Sequence, residues 1–102
     1  MGKLQEMQQK VQEVKAQLDT VSVAGETADG RVRAVVNGNK KVLSVHIDDS
    51  LRQADSEELE DLLIIALNKA LEKAEDVHQS TMKSTTADLL PPHLMNLLNN
   101  SR

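Results

Sequence analysis

The segment from Leu59 to Leu71 sets the hardest condition on how this chain can fold. At helical spacing, Leu59, Leu62, Leu63, Ile64, Ile65, Ala66, Leu67, Ala70 and Leu71 lie on nearly every side of the axis. A helix that is apolar all round must be covered all round. The segment opens a longer helical pattern over residues 56–84, with Asp55 or Ser56 as N-cap and capping-box spacing from Asp55 to Glu58. Such a helix would be roughly 43 Å long, whereas a strand of eight or so residues spans only about 27 Å. It should therefore overhang any sheet that covers it. Its second half, with Lys69, Glu72, Lys73, Glu75 and Asp76, reads as solvated. One small sheet covers one side of the apolar half, and the other side calls for a second copy. Leu59, Leu62, Leu63, Ile64, Ile65, Leu67 and Leu71 are thus the candidate dimer-interface residues.

Three short strands precede this helix. Val21-Ser22-Val23 leads into Gly25, read as a bend, and residues 26–30 read as a loop. Arg31 to Val36 alternates, Asn37-Gly38 is a hairpin signal, and Lys41 to Ile47 is the return strand. A turn of two or four residues gives the same parity. Val32, Ala34 and Val36 then share a core face with Leu43, Val45 and Ile47. Arg31, Arg33 and Val35 share the other, basic face with Lys40, Val42, Ser44 and His46.

Residues 2–20 read as a first helix. Leu4, Met7, Val11, Val14, Leu18 and Val21 are spaced 3, 4, 3, 4, 3, a heptad seam with Leu4, Val11 and Leu18 at a and Met7, Val14 and Val21 at d. A stripe this narrow fits an amphipathic helix on its own sheet or a seam against a second chain, and both readings stay open. At the other end, Ser80 to Thr86 is rich in Ser and Thr, and Pro91-Pro92 stops any helix. Leu94, Met95, Leu97 and Leu98 suggest a short apolar turn, and residues 99–102 a frayed, dispensable end. The expected fold is α+β: a helix, a three-stranded antiparallel sheet and a long helix in two layers. One domain over residues 1–90 carries a Pro-initiated tail over 91–102.

Composition narrows the function. The 102 residues include no Cys, Phe, Tyr or Trp. Without Cys there is no disulfide, thiolate nucleophile or Cys-based metal site. Without aromatic rings the core is purely aliphatic, and a chain this small gains much from a second copy. The start, Met1-Gly2-Lys3-Leu4-Gln5-Glu6, has no apolar signal region, and no run approaches the roughly 18 apolar residues of a membrane span. A cytoplasmic protein with no membrane partner is expected. His46, His78 and His93 lie in separate elements without metal-ligand spacing. The acids of residues 55–61 suit the positive end of a helix dipole better than a metal. No Gly-rich phosphate loop is present, and no Ser-His-Asp arrangement can be proposed. No catalytic residue, metal, cofactor or small-molecule substrate is expected, which leaves binding.

Net charge is −4, from 12 Lys+Arg against 16 Asp+Glu. The basic residues are grouped, however. Lys3 and Lys10 (g positions) and Lys15 (an e position) flank the first helix's seam. Arg31, Arg33, Lys40 and Lys41 mark the hairpin. The acids Asp48, Asp49, Asp55, Glu57, Glu58, Glu60 and Asp61 follow almost without interruption. Each basic set has a plain structural use, as stems that cover a seam or as charges that guard a strand edge. Each is equally a candidate for binding phosphate.

The order and spacing of several short pieces resemble the YbaB/EbfC family of bacterial nucleoid-associated proteins. The pieces are Met7-Gln8 in a Gln-rich helix, Val23 with Gly25, then Gly30, Val32 and Val36-Asn37-Gly38. Next come Val45, Ile47-Asp48 and Leu51, then Leu59-Glu60-Asp61-Leu62 with Ala66, Asn68 and Ala70, and finally Leu90-Pro91-Pro92. The resemblance implies an intertwined homodimer whose helices project like tweezers, binding to double-stranded DNA, a place in the nucleoid and no catalysis. With it, Lys3, Lys10, Lys15, Arg31, Arg33, Lys40 and Lys41 become the candidate DNA-binding residues, chosen by charge and facing. The alternative is a protein-binding adaptor that uses the apolar strip and long helices.

Overall fold

The computed structural model describes residues 2–89. Helix α1 (Gly2–Asp19) is followed by strands β1 (Ser22–Glu26), β2 (Val32–Asn37) and β3 (Val42–Ile47), a 3-10 turn (Asp49–Leu51) and the long helix α2 (Ser56–Leu89). The strands form one antiparallel sheet in the order β1-β2-β3, and α2 packs across β1 and β2. The α+β class and the element order are those read from the sequence. Residues 90–102, with Pro91-Pro92 and the expected frayed end, lie outside the described residues.

Gly25 is not a bend. It sits within β1 opposite Ala34, where α2 comes closest to the sheet. A Cβ at Gly25 would stand 2.5 Å from the Ala66 carbonyl oxygen and closer still to the Ala70 amide nitrogen. The helix matches it with small side chains: Ala66, Ala70 and Ala74 recur every fourth residue and are fully buried. They form the core with Val32, Ala34, Val36 and Leu51, bordered by half-buried Leu59, Leu62, Leu63, Leu67 and Leu71.

The hairpin loop has three residues, Gly38–Lys40, rather than two or four. Asn37 N–H donates to the Lys41 carbonyl at 2.9 Å and Lys40 N–H to the Asn37 carbonyl at 3.0 Å. Lys40 takes the left-handed φ of 68° that closes such a loop. The register then slips. Val36 faces Val42 while Val35 faces Ser44, so Leu43 is an extra residue in a bulge. Val45 and Ile47 lie opposite Ala34 and Val32 as expected, but Val42, not Leu43, lies opposite Val36. The pattern of alternation could not reveal a bulge, because the segment around Leu43 is apolar on both sides of the slip.

The same loop anchors α1. Gly38 N–H donates to the Leu18 carbonyl at 2.9 Å and to the Val21 carbonyl at 3.1 Å. The Asn39 amide donates to the Lys15 carbonyl at 2.9 Å and to Asp19 Oδ1 at 2.6 Å. Asn37 Oδ1 accepts from the backbone N–H of Asn39 and Lys41. Carbonyls at the end of a helix lack intrahelical donors, and this loop supplies them. A Cβ on Gly38 would collide with Leu18. Val14 and Leu18 are buried, whereas residues 2–13 are exposed throughout.

Helix α2 runs 34 residues, about 51 Å, so the Ser/Thr-rich stretch to Thr86 continues the helix rather than opening a tail. Two of its residues read as solvated do structural work. Lys69 Nζ donates to the Glu26 carbonyl at 3.1 Å and Lys73 Nζ to the Ala24 carbonyl at 2.8 Å, which seals the free edge of β1. The opposite edge has no such cover. All of β3 is exposed, including Val42, Leu43, Val45 and Ile47, as is Ile64 of α2. Leu43, Val45 and Ile47 were expected in the core. They are uncovered because one helix about 10 Å wide spans two strands spaced about 4.8 Å apart, not three.

The close approach predicts that Gly25→Ala destabilises the fold by about 3 kcal/mol or more, since backbone rather than flexible side-chain atoms must move. Urea denaturation of parent and variant measures the loss.

Candidate nucleic-acid interface

The basic residues singled out from the sequence fall into groups with different surroundings. At the β1–β2 turn, buried Thr27 donates through Oγ1 to Asp29 Oδ1 at 2.7 Å and accepts the Val32 N–H at 3.3 Å. Asp29 also accepts the Arg31 backbone N–H at 3.1 Å and Arg31 Nε at 2.6 Å. The Thr27 hydroxyl first, then the Arg31 backbone and guanidinium, hold the Asp29 carboxyl at about 2, below its usual 3.8. Asp29 in turn pushes the Arg31 guanidinium further up. Arg31 Nη2 also stands 3.8 Å from Glu58 in the first turn of α2. Arg31 is therefore a tie between the turn and the helix, with two acids beside it.

Lys40 is similarly engaged. Its Nζ donates to Glu75 Oε2, and this contact, with that of Gln79, holds the Glu75 carboxyl below the usual range. Arg33 faces outward on β2, opposite Glu26 of β1 and His46 of β3. Lys41 is exposed beside the anchored loop. The Asn39 contact brings this loop against Lys15 of α1, while Arg31 and Arg33 lie at the other end of β2. That end is a six-residue strand away, about 20 Å. The polarised charge read from the sequence is thus partly cancelled within the fold, by Asp29, Glu58 and Glu75.

The helix set differs. Lys3, Lys10 and Lys15 are exposed on α1. Lys10 pairs with Glu13 at 4.0 Å, but both side chains are about 60% exposed, and a pair so open contributes little. Three cationic heads therefore remain available along the flanks of a helix whose first two-thirds touch no core.

The candidate interface residues of α2 also separate. Leu59 and Leu63 turn toward the chain's own core with Leu62. Leu62 and Ile65 adjoin Thr27 and Lys69 on the β1 side. Ile64, 56% exposed, joins half-buried Leu67 and Leu71 on the other flank. Sequence reasoning placed Val42 on the outward face but missed Leu43, Val45 and Ile47 as part of the uncovered apolar surface. The signal was present in their apolar density, but a covered face was expected for these three. It also missed Lys69 and Lys73 as caps of a strand edge. Their four-residue spacing beside the alanine stripe was the available clue. Among the described residues, no three His, Asp or Glu are placed to hold a metal ion, and no helix is long and apolar enough to cross a membrane.

Asp29 gives the site's clearest pH dependence. Because folding depresses its pKa, its contribution to stability is complete above about pH 4 and is lost as pH falls through about 2. Asp29→Asn should therefore flatten the fall of thermal stability across that window, as read from melting temperatures at stepped pH.

Comparison with known proteins bears on this surface. The profile of the YbaB/EbfC DNA-binding family matches residues 1–89. A protein of Flavobacterium johnsoniae named a nucleoid-associated protein is 44% identical over 91 residues, 89% of this chain and 85% of that one. The crystal structure of an uncharacterized Helicobacter pylori protein superposes with a TM-score of 0.76 at 22% identity, over 83% of this chain and 90% of that one. The last similarity establishes the fold alone.

Proposed function

The chain belongs to the YbaB/EbfC DNA-binding family, and from that premise we propose that it is a nucleoid-associated protein that binds duplex DNA as a homodimer. Binding is through phosphate contacts with little sequence preference and involves no catalytic step. The observation that carries this reading is the set of lysines on α1, exposed on a helix that extends away from the core, while Arg31 and Lys40 are engaged by acids. Lys3, Lys10 and Lys15 are the primary contacts, with Arg33 and Lys41 next and Arg31 and Lys40 last. Neither α1 nor α2 carries an arginine, the residue that most often reads base edges, so bases go largely unread. A place in the nucleoid follows from the same reading.

The homodimer reading is supported by the thin core. Among the described residues nine apolar side chains are buried, and four of them are alanine, while β3 and the Ile64 flank of α2 stay open. A second copy seated there would cover both. Ile64 is the sharpest probe. An aspartate at this position costs a lone chain little, since the side chain is 56% exposed. In a dimer it would become a buried unpaired charge, costing several kcal/mol. Light scattering at low micromolar concentration should give twice the chain mass for the parent. Ile64→Asp should give a single-chain mass, or fail to fold where the fold depends on the partner. A folded parent monomer would overturn the reading.

Duplex affinity should fall with a slope of about −4 in log K against log salt, as each of roughly four phosphate contacts contributes about −0.9. Replacing Lys3, Lys10 and Lys15 with Glu should abolish salt-sensitive binding. Replacing Arg31, Arg33, Lys40 and Lys41 should weaken it less. Fluorescence anisotropy on folded variants measures both. Parental binding by both variants would dismiss the residue assignment, and a parent that ignores duplex at low salt would dismiss the DNA reading.

A further inference from the structure

Leu4, Met7 and Val11 continue the line of buried Val14 and Leu18 along α1, yet all three are exposed, Leu4 by 65%. With Gln8 and Gln12 they form an open apolar strip along one side of α1. The inner half of the heptad seam thus serves the chain's own core, and the outer half is left uncovered among the described residues. Phosphate contacts by Lys3 and Lys10 do not account for it, because a duplex backbone offers no apolar surface for these side chains. The flanks say what would. The e and g positions of α1 are Lys3, Gln8, Lys10, Lys15 and Gln17, with no acid among them, while Glu6 and Glu13 lie at c positions, away from the seam. Pairing two copies along this seam would line up like charges, which is unfavourable. The complementary shape and charge belong to an amphipathic helix with an apolar stripe and acidic flanks.

We propose that the outer seam of α1 docks an acidic amphipathic helix of a partner protein. The docking stands apart from the DNA reading but shares Lys3 and Lys10 with it, so the two ligands compete. The probe is a synthetic helical peptide with Leu at seam positions and Glu at the flanks. A second peptide with Lys at the flanks is the control. Both are titrated into the full chain at low salt by fluorescence anisotropy.

The Glu peptide should bind at least about tenfold tighter than the Lys peptide. The double variant Leu4→Gln with Met7→Gln should weaken it by about tenfold or more, and excess duplex should displace it. Both side chains are exposed, so the variant's melting curve should match the parent's. Equal binding of the two peptides, or binding indifferent to the double variant, would overturn the proposal. So would loss, in the double variant, of a concentration-dependent larger species present in the parent, since that would make the seam a contact between copies. The double variant keeps every lysine and should retain parental duplex affinity. A parent that binds the Glu peptide but no duplex would defeat the DNA reading and leave the docking proposal standing.

Discussion

The seating of Gly25 against the backbone of Ala66 and Ala70 decides where the remaining elements can go. A side chain of ordinary size on either partner would lift α2 off the sheet. With glycine on the strand and alanines at every fourth helical position, the backbones meet and the helix is held over β1 and β2. Tight approach gives rigid placement at the cost of buried volume, because Ala66, Ala70 and Ala74 fill little space. Bulk comes instead from the sheet's Val32 and Val36 and from Leu51 after β3. The larger residues of α2 are displaced to its flanks, where they are only half covered.

That placement makes the two edges of the sheet unlike. On the β1 side the helix is close enough for Lys69 and Lys73 to reach the strand's outward carbonyls, so the edge is closed to further pairing. On the β3 side no such contact is made among the described residues, and apolar side chains are left exposed on the strand and on the helix flank. An exposed patch of this kind marks an association site when it is continuous. Closed two-fold assembly needs one self-complementary patch per chain, and the fold provides one edge sealed and one edge open.

Much of this was legible in sequence. The long helix, the hairpin and the first helix announce themselves through periodicity and the Asn37-Gly38 signal. Leu59 to Leu71 showed correctly that the helix would exceed what one sheet can cover. What failed were features set by tertiary contact. Gly25 looked like punctuation because glycine usually breaks a strand; only the helix above it explains a glycine within one. The bulge at Leu43 and the three-residue loop were invisible because Val42 and Leu43 are interchangeable in an apolar pattern. Among the candidate binding residues, charge was readable but neutralisation was not. Arg31 lies two residues from Asp29 in sequence, yet Glu75 is 35 residues from Lys40, and no local pattern joins that pair.

The electrostatics also explain how a chain of net charge −4 could engage DNA. Charges more than about 8 Å apart are screened from one another at physiological salt, while α1 alone is about 27 Å long. A phosphate therefore responds chiefly to the charges nearest it rather than to the net charge of the chain. Along α1 itself Lys3, Lys10 and Lys15 are balanced in number by Glu6, Glu13 and Asp19, so facing matters more than sum. Asp19 is turned to the Asn39 amide, and the two glutamates sit at c positions. The flanks of the seam are left with lysine and glutamine. In the proposed reading, a surface of this kind attracts anions without a strong long-range field and so favours modest, salt-labile contact over tight, sequence-selective grip. The same weak field is what would let the proposed acidic helix compete with duplex for one face of α1.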